Sequence, residues 1–270
     1  MKRRAGKELD LRFLQVDLQN LKSVKQAAET FMRLEDRLDV LLNNAGIMSV
    51  PYKLTGDGYE SQFQVNYLAP FIFTSTLMPL LLSTAAKSER KDRVRVIDLS
   101  SEMTSLVGPN VMHLDNVNMF DAKGMTALLY ALHRPQYLPC TNHFNHRQRY
   151  SHAKQGSIRH AKELNDRYSA QGVTAYSLHP GVVKSNLQGH DPSTFGSFMN
   201  LMMKIQPTDS PLHGALTSLY CATMPEAAET GAGRYFTPVA KLGGKEKWLD
   251  DNKGNQELWA WSEDVLKTIK

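Results

Sequence analysis

Three short strand-like segments rich in apolar residues punctuate this 270-residue chain, at residues 40–42, 94–99 and 173–178, with stretches of helical spacing between them. The first reads as a fully buried strand, the second as the next strand and the third as another buried one. Strands that alternate with helices must cross over and lie parallel. The pattern therefore predicts an α/β fold, a doubly wound parallel sheet with helices on both faces. Leu21, Val24, Ala28, Phe31 and Leu34 repeat at helical spacing and are expected to lay one face on the sheet. Residues 13–16 read as a further short strand. Residues 62–82 read as a long helix that Pro70 and Pro79 would bend or break. A helix is expected over 150–169, with Ala153, Ser157, Ala161 and Leu164 on or near its inner face. Asp209-Ser210-Pro211 reads as a helix start. A last strand is expected at 234–237, then a polar loop at 243–253 and a terminal helix carrying Trp259 and Trp261.

Composition fits one globular domain spanning 1–270, with 41% hydrophobic and 22% charged residues. Two cysteines, Cys140 and Cys221, make no disulfide framework, so a reducing, cytoplasmic setting is expected. The net charge of +5 is scattered along the chain. The basic cluster at 2–4 reads as a solvated helix end, and no nucleic-acid partner is expected. The longest apolar stretch, 70–82, falls short of the roughly 20 residues a membrane span needs. It reads as a buried helix, and no membrane span is expected.

Tyr150 and Lys154 stand four apart, which puts them on one face of a helix, one turn from each other. An ammonium beside a phenol favours the phenolate and is expected to lower the Tyr150 pKa from its usual value of about 10. A tyrosine tuned in this way can exchange a proton with a carbonyl or alcohol oxygen. Alone, the pair is also readable as a surface contact, Ser100-Ser101 as a loop cap, and Asn66 as a polar residue on a helix. Asn43-Asn44-Ala45-Gly46 follows the run at 40–42, where a glycine lets backbone pass close to a ligand. Asn43 and Asn44 are equally readable as ties between strands. Gly56-Asp57-Gly58 reads as a turn.

In this order the motifs resemble the short-chain dehydrogenase/reductase family, in its retinol-dehydrogenase-like branch. The resemblance runs from about Leu11 to the C-terminus. It rests on Asp17, on Asn43 to Gly46, on Asn66, on Ser100-Ser101, on Tyr150 with Lys154, and on His179-Pro180-Gly181-Val182. It implies a Rossmann-like sheet and an NAD(P)-dependent oxidoreductase, NADP being the favoured cofactor. The partner would be a small carbonyl or alcohol substrate, and a homodimer through the Tyr-Lys helix is implied as an option. By resemblance, Tyr150 is the general acid or base, Lys154 tunes it and holds the nicotinamide ribose, and Ser101 bonds the substrate oxygen. Asn66 would anchor a water leading from Lys154 to solvent. Asp17 maps to the adenine, and Asn43, Ala45 and Gly46 to the adenosine side. Pro180, Gly181, Val182 and Ser185 map to the nicotinamide. The segment 188–208, with Phe195, Phe198 and Met202, would be a substrate lid. Its apolar, adaptable residues suit a lipophilic substrate, although a helix packed on its own domain reads equally well.

Two segments depart from the family pattern. No glycine-rich strand-to-helix turn precedes Asp17, so the first strand, helix and second strand of the pattern read as missing. Weak dinucleotide binding and unpaired strand edges are then expected. An inactive family member acting as a binding or dimerisation partner is the alternative reading. The other departure is 122–148, an atypical insertion. Cys140, His143 and His146 have spacing suited to zinc, without an evident fourth ligand. Gly124-Met125, Thr141-Asn142 and His146-Arg147 are encodable as splice signals, which favours a retained intron. That donor and acceptor would join out of frame, so at least one true end would lie elsewhere.

Overall fold

The computed structural model describes residues 10–90, 92–106, 114, 117–118, 142–181, 183, 210–243 and 250–270. Among these, five strands form one sheet in the order β1-β2-β3-β4-β5. They are β1 (Val40–Asn43), β2 (Val94–Leu99), β3 (Val173–Leu178), β4 (Tyr235–Thr237) and β5 (Lys241–Leu242). The first four run parallel, and β5 turns back antiparallel on β4. The helices are α1 (Leu21–Leu34), α2 (Ser61–Phe63), α3 (Ala69–Ala86), α4 (Met103–Leu106) and α5 (Asn142–Tyr168), followed by α6 (Pro211–Thr223), α7 (Glu226–Gly231) and α8 (Asn252–Thr268).

Successive strand residues point to opposite faces, and the pleat sorts the apolar side chains into two cores. Leu41, Val94, Val96, Val173 and Ala175 join a large core with α1, α3, α5 and α8. Ile97, Tyr176 and Leu178 face a smaller one with Cys221 of α6 and Ala227 of α7. Arg95 is buried on that second face. Its guanidinium donates to the Cys221 and Met224 carbonyls at 2.7 and 2.8 Å and pairs with Asp92, so it ties the end of α6 to the sheet.

The expected α/β fold with a mainly parallel sheet is present, with several corrections. Residues 13–16 form no strand. Phe13 is 90% exposed, and no described strand lies on the open side of β1 to bond it. For the same reason β1 is an edge strand rather than a fully buried one. Val40 and Leu42 are 37% and 43% exposed, while Leu41 between them is buried. Helix α1 packs chiefly on α3, within the core it shares with the sheet, and Leu34 at its end is exposed. The Tyr-Lys helix begins at Asn142, not at residue 150, so the end of the 122–148 segment is helical. Residues 119–141, the 188–208 lid and the side chains of His143 and His146 lie outside the described residues. Strand β5 was not foreseen, being two exposed residues held only by backbone pairing.

The prolines near 62–82 neither end nor break the helix. The helical run is continuous over Ser61–Ala86, 26 residues, long and apolar enough to cross a membrane, yet more than half buried within the protein. It accommodates Pro70 through a π-helical turn at Gln64–Leu68, which precedes α3. A proline has no N–H for the carbonyl four residues back, here that of Asn66. The Ser157 hydroxyl of α5 donates to that carbonyl instead, at 3.2 Å. Gly56-Asp57-Gly58 is a turn, as expected. The Gly58 N–H donates to Thr55 O, and the Asp57 carboxylate accepts from the Leu21 N–H at 2.9 Å, capping α1.

Phe71 is fully buried, with its ring edge-on to Trp259 at 5.1 Å. Phe71→Ala is expected to cost about 3–5 kcal/mol in urea unfolding. Phe13→Ala, at an exposed position, is expected to change stability by less than about 0.5 kcal/mol.

Candidate active site

In a parallel sheet, loops leaving the carboxyl ends of the strands converge, and sites form there. Asn44-Ala45-Gly46 leaves β1, Ser100 leaves β2 and Pro180 follows β3. All of these line one cavity of about 820 Å³ with Tyr150 and Lys154 of α5. The far wall is α6, through Pro211, Gly214, Ala215, Ser218, Leu219 and Ala222.

The helix α5 is fixed against the β2 end by its own polar groups. The Ser100 hydroxyl donates to the Lys154 carbonyl at 2.7 Å, and Ser151 Oγ to the Met103 carbonyl at 2.8 Å. Glu60 and Arg149 form a buried ion pair at 3.4 Å, while Glu60 also caps α2 through the Phe63 N–H at 2.9 Å. The Tyr150 side chain is thereby held inside, with its hydroxyl hydrogen-bonded to Ser101. Burial pushes its pKa up to about 12, and the bond from Ser101 opposes that rise. The Lys154 Nζ donates to the Leu99 carbonyl at 2.7 Å and lies 5.8 Å from the centre of the Tyr150 ring. Burial lowers the Lys154 pKa to about 8, against the charge of Asp98. The expected lowering of the Tyr150 pKa by Lys154 is therefore not what this arrangement gives. Desolvation dominates both groups, and the ammonium is directed at a carbonyl.

Asn66 sits in the π turn and makes two bonds to one residue. Its Oδ1 accepts from the Ile47 N–H and its Nδ2 donates to the Ile47 carbonyl, both at 2.8 Å. This fixes the backbone just after Gly46. A Cβ on Gly46 would fall 2.9 Å from Asn66 Oδ1 and 3.5 Å from Lys154 Nζ, so the position needs glycine. Asn43 is turned away from the cavity. Its Nδ2 donates to Asp98 Oδ1 at 2.7 Å and to Thr74 Oγ1 at 3.0 Å, which ties β1 to β2 and α3. Asn44, one residue later, lines the cavity. Asp17 is not brought to it. It is exposed in the turn before α1, accepting from the Gln19 N–H at 2.9 Å. Gly181 adopts a left-handed backbone, φ 93°, while Val182 and Ser185 lie outside the described residues. The cavity wall on α6 went unforeseen. Its signal is the small residues Gly214, Ser218 and Ala222, spaced four apart on one helix face.

A Rossmann-like α/β sheet with a serine, a tyrosine and a lysine gathered at its carboxyl edge defines a class of nucleotide-dependent oxidoreductase folds. The comparisons narrow it. The short chain dehydrogenase family profile matches residues 2–113. The short-chain dehydrogenase/reductase drtF of Aspergillus calidoustus is 32% identical over 267 residues, covering 96% of this chain and 77% of the relative. Retinol dehydrogenase 12 of Bos taurus is 31% identical over 260 residues, 93% of this chain and 68% of the relative. Among solved structures, an NADPH-bound carbonyl reductase from chicken fatty liver shares the fold at TM-score 0.51 and 17% identity, covering 86% of this chain and 76% of that one. The chain belongs to the short-chain dehydrogenase/reductase family and is an oxidoreductase of that family.

Asn66→Leu would leave the Ile47 N–H and C=O without their partners. A loss of about 1–3 kcal/mol in urea unfolding is expected, with amide-exchange protection lost first at Ile47.

Proposed function

We propose that this chain is an NAD(P)-dependent oxidoreductase that reduces a carbonyl on a small lipophilic substrate, or oxidises the corresponding primary or secondary alcohol. One observation carries the reading. The Tyr150 hydroxyl, hydrogen-bonded to Ser101, shares a cavity with Lys154 and the Asn44-Ala45-Gly46 backbone. The apolar side chains of Ile47, Met48, Leu99 and Leu219 around that cavity suit a lipophilic substrate.

The residues fit the nicotinamide-ribose end of a dinucleotide. Lys154 and the Gly46 backbone line the same cavity, and an ammonium there can donate to a ribose hydroxyl. In this reading Lys154 holds the ribose, Pro180 and Gly181 lie by the nicotinamide, and Ala45 and Gly46 lie toward the adenosine. Asn44 replaces Asn43 there, because the Asn43 side chain is committed to Asp98 and Thr74. NADP is the favoured form, in keeping with the NADPH-bound carbonyl reductase of the same fold. When bound, the dinucleotide supplies the hydride.

The protein residues supply the proton and the field. Ser101 donates to the substrate oxygen, and Tyr150 gives it a proton as negative charge develops there. Burial keeps the phenol protonated through the neutral range, which favours the reducing direction. Lys154 contributes a positive charge as long as it holds its own proton.

The test uses NADPH and a panel of lipophilic aldehydes and ketones. Tyr150→Phe is expected to lower turnover by about 10²–10⁴-fold while leaving NADPH binding by fluorescence intact. Lys154→Ala is expected to weaken both. Turnover that survives Tyr150→Phe would count against the assignment. In the unaltered protein, the lysine is the group that titrates nearest neutrality. The reduction rate is therefore expected to be level below about pH 8 and to fall above it, as Lys154 loses its charge.

A further inference from the structure

The Asp98 side chain points from β2 into the large core, where it is 2% exposed. A carboxylate in such a place is costly unless donors surround it. Two elements supply them. His160 Nδ1 of α5 meets Asp98 Oδ2 at 2.8 Å, and Asn43 Nδ2 of β1 donates to Oδ1 at 2.7 Å. A carboxylate can only accept, so Nδ1 carries the hydrogen of the histidine bond. The imidazole is locked in place by rings. Trp259 stacks on it at 5.9 Å, and Phe71 and Tyr67 flank it at 5.2 and 6.4 Å.

This pair lies one residue from the carbonyl that holds the active-site lysine. Lys154 Nζ donates to the backbone of Leu99, and Leu99 follows Asp98. The ammonium is buried, and its hydrogen-bond acceptor is a neutral carbonyl. Among the described residues, the charge that acts on it is that of Asp98.

We propose that Asp98 and His160 form a positioning pair for the Tyr-Lys site: His160 and Asn43 fix the Asp98 carboxylate, and the carboxylate is the buried counter-charge that keeps Lys154 an ammonium. The inference rests on the reading of Tyr150 and Lys154 given above. Neither Asp98 nor His160 touches the reacting atoms; both act through Lys154. Besides Lys154, the ionisable group facing the pair is Tyr67 on the π turn, on which Asp98 acts and on which Arg159 and Glu163 of α5 also act. The neighbours from α3, β1 and α8 are the uncharged Thr74, Phe71, Asn43 and Trp259.

The experiment titrates Lys154 directly, by NMR of the full chain labelled at lysine side chains, with its signal assigned through Lys154→Arg. Asp98→Asn keeps the shape and removes the charge. It is expected to move the Lys154 midpoint down by about one pH unit or more. The alkaline fall in reduction rate should move with it. His160→Leu removes a donor to the carboxylate and should lower the midpoint by less. His160→Asn retains a side-chain N–H and should restore it. An unmoved midpoint in Asp98→Asn overturns the proposal. Should that variant not fold, an equal midpoint in His160→Leu and His160→Asn does so instead. The NMR readout needs no turnover. A shifted midpoint in an inactive chain would therefore leave this inference standing and refute only the enzymatic reading. An unmoved midpoint in an active chain would do the reverse.

Discussion

The structure depends on burying a polar helix from several sides. Helix α5 carries Ser151, His152, Lys154, Gln155, Ser157, Arg159 and His160, all of them buried. Helices enclosed in a core are usually apolar all round. Here each polar group needs a partner from another element, and those partners hold the protein together. Ser100 and Met103 at the end of β2 meet the first part of the helix. The π turn meets Ser157, Asp98 meets His160, and Asp251 and Asn255 meet Arg159 at 3.2 and 2.6 Å. An unpaired buried polar group costs about 1–3 kcal/mol, so the contacts select one seating of the helix rather than a sliding fit.

That seating links local backbone chemistry to the site. Pro70 removes one N–H from a helix, and the π turn and the freed Asn66 carbonyl follow from it. The carbonyl is taken by Ser157, one turn along from Lys154. The Asn66 side chain, on the same turn, fixes Ile47 and so the Gly46 backbone facing the lysine. Gly156 lets α5 approach this turn, since a Cβ there would come within 2.6 Å of the Tyr67 ring. A proline, a glycine and an asparagine, none of them acid or base, thus set the width of the cavity beside Tyr150.

Legibility in the sequence followed the range of the interaction. Strands β2 and β3 were readable as short segments rich in apolar residues because both of their faces are covered. The start of α6 was readable because Ser210 and Pro211 act locally, the Ser210 Oγ accepting from the His213 N–H at 3.2 Å. Residues 13–16 misled because apolar composition alone does not provide a neighbouring strand. β1 misled for the same reason, since burial of Val40 and Leu42 depends on what lies beside and above them. Asn43 and Asn44 could not be told apart by type. The pleat decides that one side chain turns to Asp98 and the other lines the cavity.

The sequence by itself determined the alternation of strands and helices, the family motifs and the residues gathered at the carboxyl edge of the sheet. These are carried by periodicity and by residue type, which are local. Only the tertiary structure decided the protonation balance of the site. Tyr150 is held high and Lys154 low because both are desolvated, with Ser101 and Asp98 opposing. Desolvation and the field of a carboxylate on another strand depend on distance in space, and a spacing of four along the chain carries neither.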